Sequence, residues 1–250
     1  SLKSIGLIIV AAIFLFIMAD YVNACSMIAF QNLLDDSLQA IVNKPVEALV
    51  VVAILPAIIE EFLFRGMIYR GIANKSNKKI AIIISALLFA FLHMNFNQMC
   101  YAFVMGLVFA IVIYLTDNLS VSILLHMLFN AFTVIITCFE KSNAIQAILQ
   151  CNIAGYTLFN PSLTDTQGKI EISLLIIGGL IAILSAVIAG WLILLIAKTE
   201  KTTETTINNE NILKDNDNIF KNNENWKPDF RFFAGSGVCI LIAILYEILL

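Results

Sequence analysis

Hydrophobic residues in this chain come in long blocks, not in alternation with polar ones. The blocks cover about 5–30, 47–70, 80–94, 98–116, 119–139, 171–197 and 234–250. Most approach or exceed the roughly 20 apolar residues that cross a bilayer as a helix. Backbone groups in lipid must be satisfied within the protein, which leaves helices or a closed barrel. A barrel needs strands of about ten residues with alternating polarity, and these blocks do not alternate. The predicted fold is therefore all-α: a polytopic transmembrane helical bundle of about seven spans. The third and fourth blocks are short and joined by Asn95-Phe96-Asn97-Gln98, which predicts a tight helical hairpin.

The 250 residues are 60% hydrophobic and 13% charged, with a mean hydropathy of +0.90. Soluble domains run at about 45–50% and about 25%, so composition supports the membrane reading. The net charge of −3 argues against nucleic acid as a partner. Five cysteines (Cys25, Cys100, Cys138, Cys151 and Cys239) are far apart, mostly in apolar runs, and predict buried reduced thiols. The first block is too long for a signal-peptide core and has no clear cleavage site, so it is expected to span. Because it follows Ser1 directly, without Met, the chain is expected to lack its natural N-terminus.

Lysines and arginines mark the sides. Lys75, Lys78 and Lys79, preceded by Arg65 and Arg70, and the Lys-containing segment 198–233 fall on one side when the spans alternate. That side is the cytoplasmic one by the positive-inside rule. Residues 198–228 are rich in Asn, Thr, Lys and Glu, a composition that buries no core and predicts a flexible linker. The chain thus divides into an N-terminal helix and loop (1–46), a helical core (47–140), an outer loop and helix (141–197), a polar cytoplasmic linker (198–233) and a C-terminal helix (234–250). The 140–170 loop contains an amphipathic stretch suited to the outer interface.

Charge inside such blocks is costly and marks function by default. Asp20 lies in the first block and Glu60, Glu61 and Arg65 in the second. The two histidines of the chain, His93 and His126, fall in two others, with Asn130 one turn beyond His126. At about 1.5 Å per residue, Glu60 lies ~15 Å from Arg70, His93 ~20 Å from Ile80, and His126 and Asn130 ~10 and ~16 Å from Leu119. Three helices thus bring polar groups to overlapping depths. Arg65 is at i+4 from Glu61 and pairs with it, while Glu60 points about 100° away and is left as the candidate base. His126 and Asn130 on one face suit an oxyanion. These parts fit amide hydrolysis. A proton-coupled transporter is the rival reading, although no internal repeat or second broken helix accompanies Pro56.

Glu60-Glu61-Phe62-Leu63-Phe64-Arg65 fits an EExxxR motif, Phe89 to His93 an FxxxH motif, and His126 to Asn130 an HxxxN motif. Their order and spacing resemble the CAAX protease and bacteriocin-processing family (CPBP, also called Abi) of intramembrane endopeptidases. The resemblance covers roughly 47–140 and implies that Glu60 and His93 activate water, Glu61 and Arg65 order the site, Phe89 sets the His93 ring, and His126 and Asn130 stabilise the oxyanion. It implies a lipid-embedded enzyme acting on membrane-associated peptides or proteins, with peptide or bacteriocin maturation or self-immunity as bacterial roles. A non-proteolytic immunity or scaffold protein is the alternative. The family is described both as glutamate-type and as metalloprotease. No HExxH spacing is present, so a metal-independent glutamate base is expected, with Zn2+ on Glu60, His93 and His126 as the alternative. The richness in Asn, Lys and Ile suits a low-GC bacterium, and hence a bacterial cell membrane with the site opening to the cytoplasmic side.

Overall fold

A computed structural model describes residues 2–30, 43–164 and 168–214, with side chains through Thr202. Helix α1 is Leu2–Met27, and a continuous helical rod, α2, covers 45–73. Then follow α3 (Lys78–Leu92), α4 (Phe96–Thr116), α5 (Leu119–Cys138), a short α6 (Asn143–Leu149) and α7 (Ile172–Lys214). A two-residue hairpin, β1 (Asn152–Ile153) against β2 (Tyr156–Thr157), decorates the loop before α7. The fold is an all-α polytopic bundle. Among the described residues, Leu2–Met27, Phe96–Thr116, Leu119–Cys138 and Ile172–Thr202 are long and apolar enough to cross a membrane. The expected C-terminal span, 234–250, lies outside the described residues, as does Cys239.

Asparagines punctuate the core. The side chains of Asn77, Asn95 and Asn118 accept from the backbone N–H groups of Lys79, Asn97 and Ser120, capping α3, α4 and α5 in turn. The cap at Asn95 starts α4 one residue later, so the hairpin turn is 93–95, with Asn97 and Gln98 already helical. At its other end α4 stops on Asp117, in the left-handed region at φ +50°. The last long helix continues to Lys214, into the polar stretch that composition reads as linker. Extending a helix already nucleated by a long apolar span costs little per residue.

Polarity inside and out is inverted relative to a soluble protein. Ile176, Leu180, Ile183, Leu184, Val187, Trp191 and Leu194 form an outward stripe on α7, and Ile83, Leu87, Leu88 and Phe91 do so on α3. The buried positions instead include Glu60, Glu61, Arg65, Ser85, Asn97, Ser122 and His126. With lipid as the solvent, outward apolar faces cost nothing and the polar groups turn inward to find one another. Small residues let the helices close up. A Cβ on Gly106 of α4 would meet Ala86 of α3 at 3.1 Å from its Cα.

Polar ties fix the two ends. At one end Arg70 reaches Asp117 (2.9 Å), and Glu200 accepts from Ser4 (2.6 Å) and Asn118 (2.8 Å). At the other end Asn97 donates to Ser26 (2.6 Å), Tyr21 donates to the carbonyl of Leu175 (3.0 Å), and Asp20 accepts the N–H of Asn160 (3.0 Å). Asp20 therefore ties α1 to the loop ahead of α7. The cysteines described, Cys25, Cys100, Cys138 and Cys151, form no disulfide; Cys151 is exposed and the others are half-buried.

Candidate active site

The rod α2 changes pitch twice around its acidic pair. Leu49–Ile54 and Phe62–Tyr69 are wide π-helical turns, and α-helical Leu55–Glu61 lies between them. Pro56 is one cause, because it has no N–H for the carbonyl of Val52 and its ring crowds that turn. The amide of Asn130 supplies the missing donor, with Nδ2 3.1 Å from the carbonyl of Val52. A wide turn inside an α-helix is often found at functional positions, and here the two flank Glu60 and Glu61.

Glu61 is fully enclosed and multiply held. Its Oε1 accepts from Arg65 Nη1 (2.8 Å) and lies 3.1 Å from His126 Nδ1, while Oε2 accepts from Ser122 Oγ (2.6 Å). Arg65, also at 0% exposure, gives its second nitrogen, Nη2, to the carbonyl of Gly106 (2.9 Å). Its guanidinium carbon lies 4.4 Å from the ring centre of Phe89 and 5.3 Å from that of Phe109. The cation is thus paired with a carboxylate, capped by a carbonyl and faced by aromatic rings, which offsets its desolvation.

The two histidines are fixed by different means. At the end of α3 the backbone N–H of His93 turns to the carbonyl of Ala90 (3.2 Å), and the side-chain Nδ1 donates to the carbonyl of Phe89 (3.0 Å). The Phe89 ring also meets the His93 ring edge-on at 5.1 Å. His126 stacks on Phe109, with ring centres 4.7 Å apart, and meets Phe89 edge-on at 5.7 Å. Its Nε2 lies 3.9 Å from Glu60 Oε2, beyond direct hydrogen bonding. His93, His126, Asn130, Tyr101 and Phe129 line a cavity of about 20 Å³, room for about one water molecule.

The structure therefore brings Glu60, Glu61 and Arg65 together at His126, and His126 lines one small cavity with Phe89, His93 and Asn130. Three contributors were absent from the sequence reading: Ser122, Phe109 and the Gly106 carbonyl. Ser122 lies four residues before His126 on the same face, a spacing that could have drawn attention to it. The other two depend on how α4 crosses α2 and α5, which no local spacing reveals. Among the described residues no three His, Cys, Asp or Glu side chains converge as ligands for a metal ion. A larger cavity of about 300 Å³ is wholly apolar, lined by residues such as Ile13, Phe16, Phe132 and Ile145, and carries no chemistry.

Residues 42–132 match the family described as "Type II CAAX prenyl endopeptidase Rce1-like". The chain is 34% identical over 116 residues to "Membrane-embedded CAAX protease MroQ" of Staphylococcus aureus (strain USA300), covering 44% of this chain and 47% of that protein. It is 31% identical over 87 residues to "Putative membrane peptidase YdiL" of Bacillus subtilis (strain 168), covering 35% and 36%. The matches thus span less than half the length of these curated relatives. No solved structure matches. All three motifs fall inside the matched segment, so the part of the chain that carries the candidate site is the part similar to the Rce1-like CAAX endopeptidase family.

Proposed function

We propose that the chain is an intramembrane endopeptidase that hydrolyses peptide bonds of membrane-associated peptides or proteins. The observation that carries this reading is the buried Glu60–Glu61–Arg65–His126 assembly, whose His126 lines a water-sized cavity together with His93 and Asn130. A stapling ion pair would need only Glu61 and Arg65. A second carboxylate, two imidazoles and a water-sized cavity go beyond that need.

In the proposed reaction a water in the cavity gives a proton to Glu60, with His93 Nε2 as its second acceptor, and its oxygen adds to the scissile carbonyl. Asn130, which keeps a second amide hydrogen beside the one spent on Val52, stabilises the oxyanion. His126 joins it when the proton taken by Glu60 passes to Nε2 on its way to the amine. Collapse breaks the C–N bond, and the proton taken by Glu60 leaves on the amine. No step is routed through a metal. Bacterial peptide maturation or self-immunity is the proposed setting. The cytoplasmic side is the proposed side of access, from the loop lysines and from His126 lying closer to the Arg70–Asp117 end of its helix.

The test is a peptide-library digest by the purified protein in lipid vesicles, comparing the wild type with Glu60→Ala, His93→Ala and Arg65→Ala. Cleavage that survives Glu60→Ala sinks the proposed base. No cleavage by the wild type, with immunity intact in Glu60→Ala cells, favours a scaffold. Activity lost on chelation and restored by zinc overturns the metal-independent base in favour of zinc on Glu60, His93 and His126.

A further inference from the structure

The hydroxyl of Ser122 is enclosed within the bundle and donates to Oε2 of Glu61 at 2.6 Å, with the carbonyl of Phe109 a far longer second acceptor at 3.5 Å. Glu61 is an ion-paired carboxylate and can only accept. Every neighbour that hydrogen-bonds to it must therefore donate: Arg65 Nη1, Ser122 Oγ and also His126 Nδ1, at 3.1 Å from Oε1. This settles the tautomer. With the proton on Nδ1, the neutral imidazole of His126 presents a lone pair at Nε2, toward Glu60. His93 reaches the same state independently, because its Nδ1 faces the carbonyl of Phe89, another pure acceptor.

We propose that Ser122 is a positioning residue which, by holding Glu61 in one rotation, fixes His126 as the Nδ1–H tautomer with Nε2 as an acceptor toward the reaction cavity. The role extends the hydrolase reading above and concerns the start of the reaction, when His126 accepts a hydrogen bond from water. Without the Ser122 hydroxyl the carboxylate can turn about its terminal bond, which is a soft, roughly two-fold torsion. Oε1 then no longer has to lie between Arg65 and His126. A second-layer group that orients an imidazole through a carboxylate is a known way of fixing tautomer and ring direction.

With only two histidines in the chain, the tautomer can be read directly. The protein is labelled with ¹⁵N-histidine, placed in lipid nanodiscs, and its imidazole nitrogens recorded by NMR, with His93→Gln giving the assignment. The expected spectrum has His126 protonated at Nδ1 and unprotonated at Nε2. Ser122→Ala should mix or invert the tautomers, Ser122→Thr should restore the wild-type pattern, and Ser122→Ala should change nothing further in a Glu61→Gln background. On a cleaved library peptide, Ser122→Ala should lower kcat about tenfold with KM within about twofold, as expected for loss of one hydrogen bond to a charged group.

A merely structural serine would lower the unfolding temperature without moving the tautomer or separating kcat from KM, and that outcome overturns the proposal. So does a wild-type His126 protonated at Nε2 alone. Failure of the wild type to cleave any peptide counts against the endopeptidase reading, and the NMR spectra then decide the role of Ser122 by themselves.

Discussion

Arg65→Met removes the guanidinium while keeping most of the side-chain length, and it leaves Glu61 as a charge with 0% exposure in the middle of the bundle. Breaking a buried ion pair from one side typically costs about 3–5 kcal/mol. The carbonyl of Gly106 also loses its Arg65 donor at 2.9 Å, worth about 1–3 kcal/mol if it stays dry. His126 and Ser122 still hold Glu61 and lessen the loss, so about 3–5 kcal/mol is expected in total. Removing the charge from both partners, Glu61→Gln with Arg65→Met, leaves neither uncompensated and should recover at least half of that cost. Denaturant unfolding in detergent micelles, with the two single variants and the double, supplies the cycle. A single-variant cost below about 1 kcal/mol, or a double variant as unstable as the sum of the singles, would refute the claim that the two charges depend on each other.

Three further outcomes follow from the same packing. Gly106→Ala places a Cβ 3.1 Å from the Cα of Ala86, so α3 and α4 must separate slightly, and unfolding assays should show a loss of about 1–3 kcal/mol. Asn130→Ala removes the donor to the carbonyl of Val52 and should cost about 1–3 kcal/mol. In a Pro56→Ala background, where residue 56 regains its N–H, that cost should shrink in the same unfolding measurement. Asp20→Ala frees the N–H of Asn160 and should raise amide hydrogen exchange in the loop before α7 while leaving the exchange of α4 and α5 unchanged.

Much of the architecture was legible because lipid imposes simple demands. Apolar blocks of spanning length become helices, as in α1, α4, α5 and α7. The Glu61–Arg65 pair was readable for a similar reason, since i+4 spacing on a helix brings two side chains together whatever surrounds them. Features built across helices were not readable. His126 turns both to Glu61 and toward Glu60, Asn130 serves Val52, and Gly106 answers Arg65. Each of these depends on crossing angles and on the widened turns of α2, which periodicity does not encode. The polar tail of α7 misled composition because helix propagation from an apolar span needs little help from the residues it adds.

The central claim is that Glu60 does chemistry while Glu61 is held by its neighbours, and the most direct measurement is the turnover of a cleaved peptide by Glu60→Gln in lipid vesicles. The account predicts a fall in kcat of about 10²–10⁴-fold, as for loss of a general base, with the variant folded. Turnover within tenfold of the wild type would contradict it.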